Sequence, residues 1–286
     1  MLKQRVLTAI ILLIILTGVL SNDWRLAWPL FLAILSGLAV WEWWRLAWPT
    51  PKLLPVAVGF LTFCGLLYQA LQWDQLGGLN ESVLSTSSAW FQWAIWFAVF
   101  VWIVIVPVYL ARGRAEQRAD LRWWAWFAPI ALYATWGPLA IWHAQGGVWL
   151  LLSVLILVWI ADIFAYFGGK RWGRNKLAVH ISPGKTREGA YTGLTGVVLW
   201  MIVSSQIDGS YAQILLHLYG WIALIPVALL LGVISISGDL FESLLKRKAQ
   251  VKDSSALLPG HGGVYDRIDA VIAVVPVAYW IVVVGA

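Results

Sequence analysis

Residues 147–168 read GVWLLLSVLILVWIADIFAYFG and carry a single charged side chain, Asp162. Such a run cannot cover the surface of a water-soluble domain. It is long enough to cross the hydrocarbon core of a bilayer, which takes roughly 17–25 mainly apolar residues. The same reading along the chain gives nine candidate spans, at about 5–21, 26–41, 53–71, 89–110, 123–142, 147–168, 189–206, 218–238 and 270–286. Only 12% of the 286 residues are charged and the mean hydropathy is +0.78, whereas a soluble domain needs about 25% charged residues. The expected fold is all-α: a polytopic integral membrane helical bundle forming one domain over 1–286. Its N-terminal helices occupy 1–142, and its catalytic helices and cytoplasmic loops occupy 143–286.

The first span is short and follows Lys3 and Arg5. Its exit, LTGVLSND, lacks a small-x-small cleavage pattern, so it is read as a retained helix. Pro107, Pro129, Pro138 and Pro226 fall inside spans and are read as kinks rather than ends. Cys64, the single cysteine, excludes an intramolecular disulfide and a Cys-based zinc site. Tryptophans gather near segment ends, as in WEWWRLAW and RWWAWF, where indole favours the lipid–water interface.

Basic residues set the orientation. With a cytoplasmic N-terminus, segments 1–4, 42–52, 111–122, 169–188 and 239–269 face the cytoplasm. Of the 20 Lys and Arg residues only Arg25 falls away from these segments and their edges. This topology accounts for the net charge of +6 without any nucleic-acid partner. The connector ARGRAEQRADLR (111–122) reads as solvated, near the lipid headgroups.

Three polar features exceed what topology requires. Asp162 lies within an apolar span, where a carboxylate is a functional candidate by default, and Tyr166 is four residues on along the same helical face. The stretch ISPGKTREG (181–189) sets Ser182, Lys185, Thr186 and Arg187 just before a new span, and a helix N-terminus with donors nearby is an anion site. Glu188 complements the helix dipole, and GAYTGLTG (189–196) supplies small residues for close helix packing. Third, Asp239 follows the eighth span and Asp266 and Asp269 precede the ninth, spaced i, i+3 so that a helix would put them on one face. Three carboxylates repel unless a cation or basic group lies among them, and their hard oxygens favour Mg²⁺ or a similar ion. Lys246, Arg247, Lys248, Lys252 and Arg267 would neutralise phosphate, while Gly260, Gly262 and Gly263 would let backbone N–H groups approach an anion. Together these point to phosphate chemistry.

The stretch SLLKRKAQVKDSSALLPGHGGVYDRID (243–269) resembles the signature of phosphatidate cytidylyltransferases, matching every fixed position from Ser243 to Asp269. DIFAYFGGKRWGRNKL and SPGKTREG resemble the family's upstream blocks; one departure is Arg187, where relatives often carry an apolar or aromatic residue. The resemblance is specific over about 159–269 and only compositional over the N-terminal half. It implies a dimeric membrane enzyme making CDP-diacylglycerol from CTP and phosphatidic acid, using Mg²⁺ and a second, monovalent cation such as K⁺. It implies Asp239 and Asp266 as metal ligands, Asp269 in the same cluster, and Ser182, Lys246, Asp253 and His261 as motif residues linked to activity. The expected site thus has Lys246, His261 and Asp269 as catalytic groups. Substrate would be held by Ser182, Lys185, Thr186, Arg247, Lys252, Asp253, Gly262, Gly263, Arg267, Asp162 and Tyr166, at the cytoplasmic face of the cell membrane. Two rivals remain: a CTP-dependent kinase of a membrane alcohol such as a polyprenol, and an ion transporter. The His-Gly-Gly…Asp-Arg-x-Asp match favours the cytidylyltransferase over the first. Transporter sites lie near the midplane, often with inverted repeats, whereas these carboxylates gather at one face.

Overall fold

The structure, a computed structural model, describes residues 2–48, 53–75, 89–112 and 121–285. Most of the loop 72–88 and of the connector 111–122 lies outside the described residues. Nine helices and one short hairpin follow in chain order among the described residues. They are α1 (Leu2–Leu20), α2 (Ala27–Ala47), α3 (Leu53–Gln75), α4 (Ala89–Phe100), α5 (Val106–Arg112) and α6 (Arg122–Trp172), then β1 (Lys176–Ala178), β2 (Ser182–Thr186), α7 (Arg187–Ser204), α8 (Tyr211–Lys248) and α9 (Tyr265–Gly285). The fold is all-α with several long apolar helices, as the hydropathy pattern requires. Among the described residues six helical stretches are long and apolar enough to cross a membrane: α2, α3, the continuous run Ala89–Arg112 that contains α4 and α5, α6, α8 and α9.

Glycine rather than proline breaks these helices. Pro129, Pro138 and Pro226 sit inside α6 and α8 without ending them. The interruptions fall at Gly147 (φ 71°, ψ −176°) and Gly220 (φ 70°, ψ −177°), a backbone region open essentially to glycine alone. Pro107 follows one turn of π-helix (Val101–Ile105) that links α4 to α5, where the Val106 N–H reaches back to the Val101 carbonyl.

The chain packs as two compact units: Met1–Ala94, Arg118–Gln145 and Leu245–Ile268 form the first; Ile95–Gln117, Gly146–Leu244 and Asp269–Ala286 form the second. In the first unit α2 and α3 cross at Gly37 and Gly59, where a Cβ on either would meet the other's carbonyl oxygen at 2.9 or 2.6 Å. The indoles of Trp28 and Trp136 donate to the Leu139 and Pro29 carbonyls, each at 3.0 Å, tying α2 to α6. Trp43 and Trp44 are fully buried, Trp43 stacking on Tyr265 at 4.9 Å. That corrects the interfacial reading of WEWWRLAW for these two rings. Neighbouring rings cover them instead: Trp43 also meets Phe127 edge-on at 5.8 Å, and Trp44 meets Trp126 edge-on at 4.9 Å.

The second unit is held by small-residue contacts along α7. A Cβ on Gly189 or Gly193 would stand 2.8 Å from the carbonyls of Ala165 and Ala161 in α6. The GAYTGLTG stretch therefore does what its composition implied. Thr192 Oγ1 adds a hydrogen bond to the Phe164 carbonyl at 3.0 Å. Tyr211 and Tyr219 donate to the Ala278 and Ile281 carbonyls, joining α8 to α9.

Boundaries differ from the expected spans: α2 continues past 41 to Ala47, α8 runs past 238 to Lys248, and α9 begins at Tyr265 rather than at 270. Leu240, Phe241, Leu244 and Leu245 recur at helical spacing and are buried, so the polar end of α8 stays helical by packing one apolar edge.

Candidate active site

Within the second unit, close backbone approach creates the acidic centre. A Cβ on Gly238 would lie 2.8 Å from the Asp269 carbonyl and 2.9 Å from Ala273 Cβ, so α8 can touch α9 there only through glycine. The next residue is Asp239, and Glu242 follows three positions later on the same face. With Asp269 they offer three carboxylate oxygens within 4.8 Å of one another. A cation offsets repulsion in such a set, and hard oxygen donors of this kind suit Mg²⁺, so these residues fit the ion. Glu242, only 2% exposed, is not among the residues singled out from the sequence, where 239–269 reads as a polar cytoplasmic segment. Its one signal was the three-residue offset from Asp239.

The SPGKT stretch reaches this centre as a strand. β1 and β2 pair antiparallel, Lys176 opposite Thr186 and Ala178 opposite Ser182. Ile181 anchors the hairpin in an apolar cluster with Leu240 and Leu244, against which Tyr109 and Leu177 also pack. Thr186 ends β2 and caps α7, its Oγ1 accepting from the Gly189 N–H at 3.1 Å. Lys185, one residue earlier, pairs with Asp239 through Nζ and Oδ2. Glu188 does more than complement the dipole. Its carboxylate accepts the Arg174 and Asn175 N–H groups and the Asn175 side-chain amide at 2.7–3.2 Å. Hydrogen bonds from its own N–H and that of Arg174, then from Asn175, hold its pKa down at about 2. A cavity of about 500 Å³ brings together Asp162, Tyr166, Ser182, Lys185, Thr186 and Asp239. All six were candidates from the sequence.

In the first unit the segment 249–264 closes the gap between α8 and α9. Asp266, in the first turn of α9, accepts four donors: Lys246 Nζ at 2.7 Å on Oδ1, then Ser254 N–H at 2.9 Å, Ser254 Oγ at 2.7 Å and Gly263 N–H at 2.7 Å on Oδ2. The anion that the Gly263 N–H meets here is therefore the protein's own carboxylate. Gly262 (φ 87°) needs its glycine twice over, since a Cβ there would also stand 2.7 Å from Asp266 Oδ2. Arg267 clamps the turn by donating Nε and Nη2 to the His261 carbonyl at 3.0 and 2.6 Å. A cavity of about 520 Å³ is lined by Lys252, Asp253, His261, Gly262 and Arg267 among others. His261 Nδ1 is buried and meets no hydrogen-bond partner among the described residues. Arg247 is exposed on the last turn of α8 and lines neither cavity.

Glu42 of α2 is the other residue the sequence reading passed over. Fully buried, it accepts hydrogen bonds from Ser254, Ser255, Val264 and Tyr265. It stands within WEWWRLAW, a stretch whose tryptophans alone carry the sequence reading.

Both clusters combine carboxylates, lysines and glycine-bearing turns next to apolar helices, an arrangement suited to phosphate chemistry on a lipid. Comparison with known proteins agrees. A Pseudomonas aeruginosa protein named phosphatidate cytidylyltransferase is 36% identical over 281 residues, covering 97% of this chain and 95% of its own. Its namesake from Haemophilus influenzae is 34% identical over 96% of both chains. Another from Brucella abortus is 31% identical over 78% of this chain and 83% of its own. The similarity thus extends through the N-terminal helices, where the motifs alone were silent. The sequence model of the cytidylyltransferase family matches residues 3–284, and the chain, a nucleotidyl-transferring enzyme, belongs to that family.

Proposed function

We propose that the protein is a phosphatidate cytidylyltransferase, converting CTP and phosphatidic acid to CDP-diacylglycerol and pyrophosphate. The observation that carries this reading is the 36% identity to a protein of that name over nearly the whole of both chains. In the reaction a phosphate oxygen of phosphatidic acid attacks the α-phosphorus of CTP. The bond from that phosphorus to the bridging oxygen breaks, and pyrophosphate leaves with the electron pair. The nucleophile is already ionised, so the protein's task is to bring two polyanions together and hold them in line.

The chain's own groups suit that task. Ser182, Lys185 and Thr186 would bind phosphate oxygens at the hairpin, beside Asp162 and Tyr166. Lys246, Arg247, Lys252 and Arg267 would offset triphosphate charge, with Asp253, Gly262 and Gly263 shaping the loop. His261 would donate a hydrogen bond to the departing pyrophosphate. Asp239 and Asp266 are the proposed Mg²⁺ ligands, with Asp269 and Glu242 next to Asp239; a monovalent cation such as K⁺ is the proposed second ion. When bound, Mg²⁺ would neutralise charge gathering on the α-phosphate and leaving group. The same reading has a homodimer in the inner membrane, N-terminus and active site facing the cytoplasm.

The test is to give the purified protein α-labelled CTP, Mg²⁺ and phosphatidic acid. Label moving into lipid is the expected result. Label recovered only in CDP would mean γ-phosphate transfer and would overturn the reading in favour of a lipid kinase.

A further inference from the structure

Glu42 lies more than two hundred positions before the segment it binds, and none of its side chain reaches solvent. Its Oε1 accepts the Val264 N–H at 3.1 Å and the Ser255 hydroxyl; its Oε2 accepts the Tyr265 N–H at 2.6 Å and the Ser254 hydroxyl at 3.0 Å. Ser255, Val264 and Tyr265 supply three donors, and the Ser254 hydroxyl is a fourth when its proton turns to Glu42. Two of them are the N–H groups at the start of α9, which no helical carbonyl can satisfy. Helix α9 is therefore capped by a carboxylate from α2 rather than by a residue of its own approach. Ser254 Oγ also lies 2.7 Å from Asp266 Oδ2, so this oxygen stands between Glu42 and Asp266 and its single proton serves one carboxylate at a time. One turn along α2, Arg45 Nη2 donates to the Ser254 carbonyl at 3.0 Å. Glu42 also occupies the space beside Gly263, where any Cβ would overlap its carboxylate and Ser254 Oγ.

We propose that Glu42 is a positioning residue of the cytidylyltransferase reaction. It fixes residues 254–265 on α2 and, through Ser254, fixes the orientation of Asp266. This rests on the reaction proposed above. It also gives the N-terminal half of the chain a part in that reaction. A one-ångström misplacement of a reacting constellation costs up to about a hundredfold in rate, and Ser254, standing between the two carboxylates, has no slack to absorb a changed acceptor.

The experiment compares full-length wild type with Glu42→Gln and Ser255→Ala in lipid–detergent micelles. Two readouts are taken: kcat for label transfer, and the rate of tryptic cleavage after the exposed Lys252. The Gln side chain keeps the shape but replaces one acceptor oxygen with a donor. We expect kcat to fall roughly ten- to a hundredfold and cleavage after Lys252 to quicken several-fold, with cleavage elsewhere unchanged. Ser255→Ala, which removes one donor and keeps the carboxylate, should give a smaller shift in both. Wild-type kcat in Glu42→Gln overturns the proposal, as does lost activity with cleavage after Lys252 unaltered. If Glu42→Gln does not fold, Ser255→Ala decides by the same two readouts. If wild type transfers no label to lipid, the reaction fails instead, and the cleavage arm still reports whether Glu42 holds the loop.

Discussion

Lys246 Nζ stands 2.7 Å from Asp266 Oδ1, an ion pair joining the last turn of α8 to the first turn of α9. The two side chains are 16% and 6% exposed, so neither charge has water enough to stand alone. The pair also bridges the two ends of the 249–264 segment, which makes it a latch on the loop as well as a charge contact. Asp266→Asn removes the counter-charge of Lys246 while keeping the side chain's volume. It is expected to abolish Mg²⁺-dependent turnover of CTP and to leave membrane insertion intact. Near wild-type turnover, measured by label transfer, would remove Asp266 from the metal role.

Glu242 is expected to contribute to cation binding although no motif reading pointed to it. Its carboxylate shares a 4.8 Å cluster with Asp239 and Asp269. Glu242→Gln keeps the shape and deletes one negative charge. The Mg²⁺ concentration giving half-maximal turnover should rise about tenfold, in line with losses from altering groups around a metal. A Mg²⁺ titration with an unmoved midpoint would rule the residue out.

Gly238 sets how closely α8 approaches α9. Gly238→Val would press a side chain on the Asp269 carbonyl, now 2.8 Å from the Cβ position. Overpacking of this kind costs about 1–3 kcal/mol. Melting temperature in detergent and activity should drop together, because the substitution moves Asp239 away from Asp269. Gly184→Ala, where a Cβ meets nothing within 4 Å, should melt like wild type and serves as the control.

The tie between Glu188 and the 174–175 turn should depend on pH in acid. The folded-state pKa of Glu188 is about 2 against an ordinary 4.5. A depressed carboxylate stabilises the fold fully above its unfolded value and loses that contribution as pH falls through its folded one. The difference in hydrogen-exchange protection of the hairpin between wild type and Glu188→Gln should therefore be constant above pH 4.5 and shrink toward pH 2. A difference that instead grows in that window would contradict the arrangement.

Much of this is legible in the sequence. Long apolar runs lead to helices because a bilayer leaves backbone N–H and C=O groups no partner but each other. Small residues at helical spacing in 189–196 foretold a close crossing, and the motif over 243–269 identified the chemistry from residue types alone. The same local logic misjudged the stretch after Gly238. Charges there looked like a loop, yet four buried apolar side chains at helical spacing keep it in α8.

What the sequence by itself determined was a helical membrane protein equipped with carboxylates and bases for phosphate chemistry. Composition, periodicity and motif spacing are properties of neighbours along the chain, and they suffice for that. Only the tertiary structure decided that Glu242 joins Asp239 and Asp269, that Lys246 latches Asp266, and that Glu42 caps α9. Those contacts arise where glycines let backbones close and where buried donors must find an acceptor. The acceptor for Val264 and Tyr265 lies 222 and 223 residues away along the chain, a pairing that no local pattern encodes.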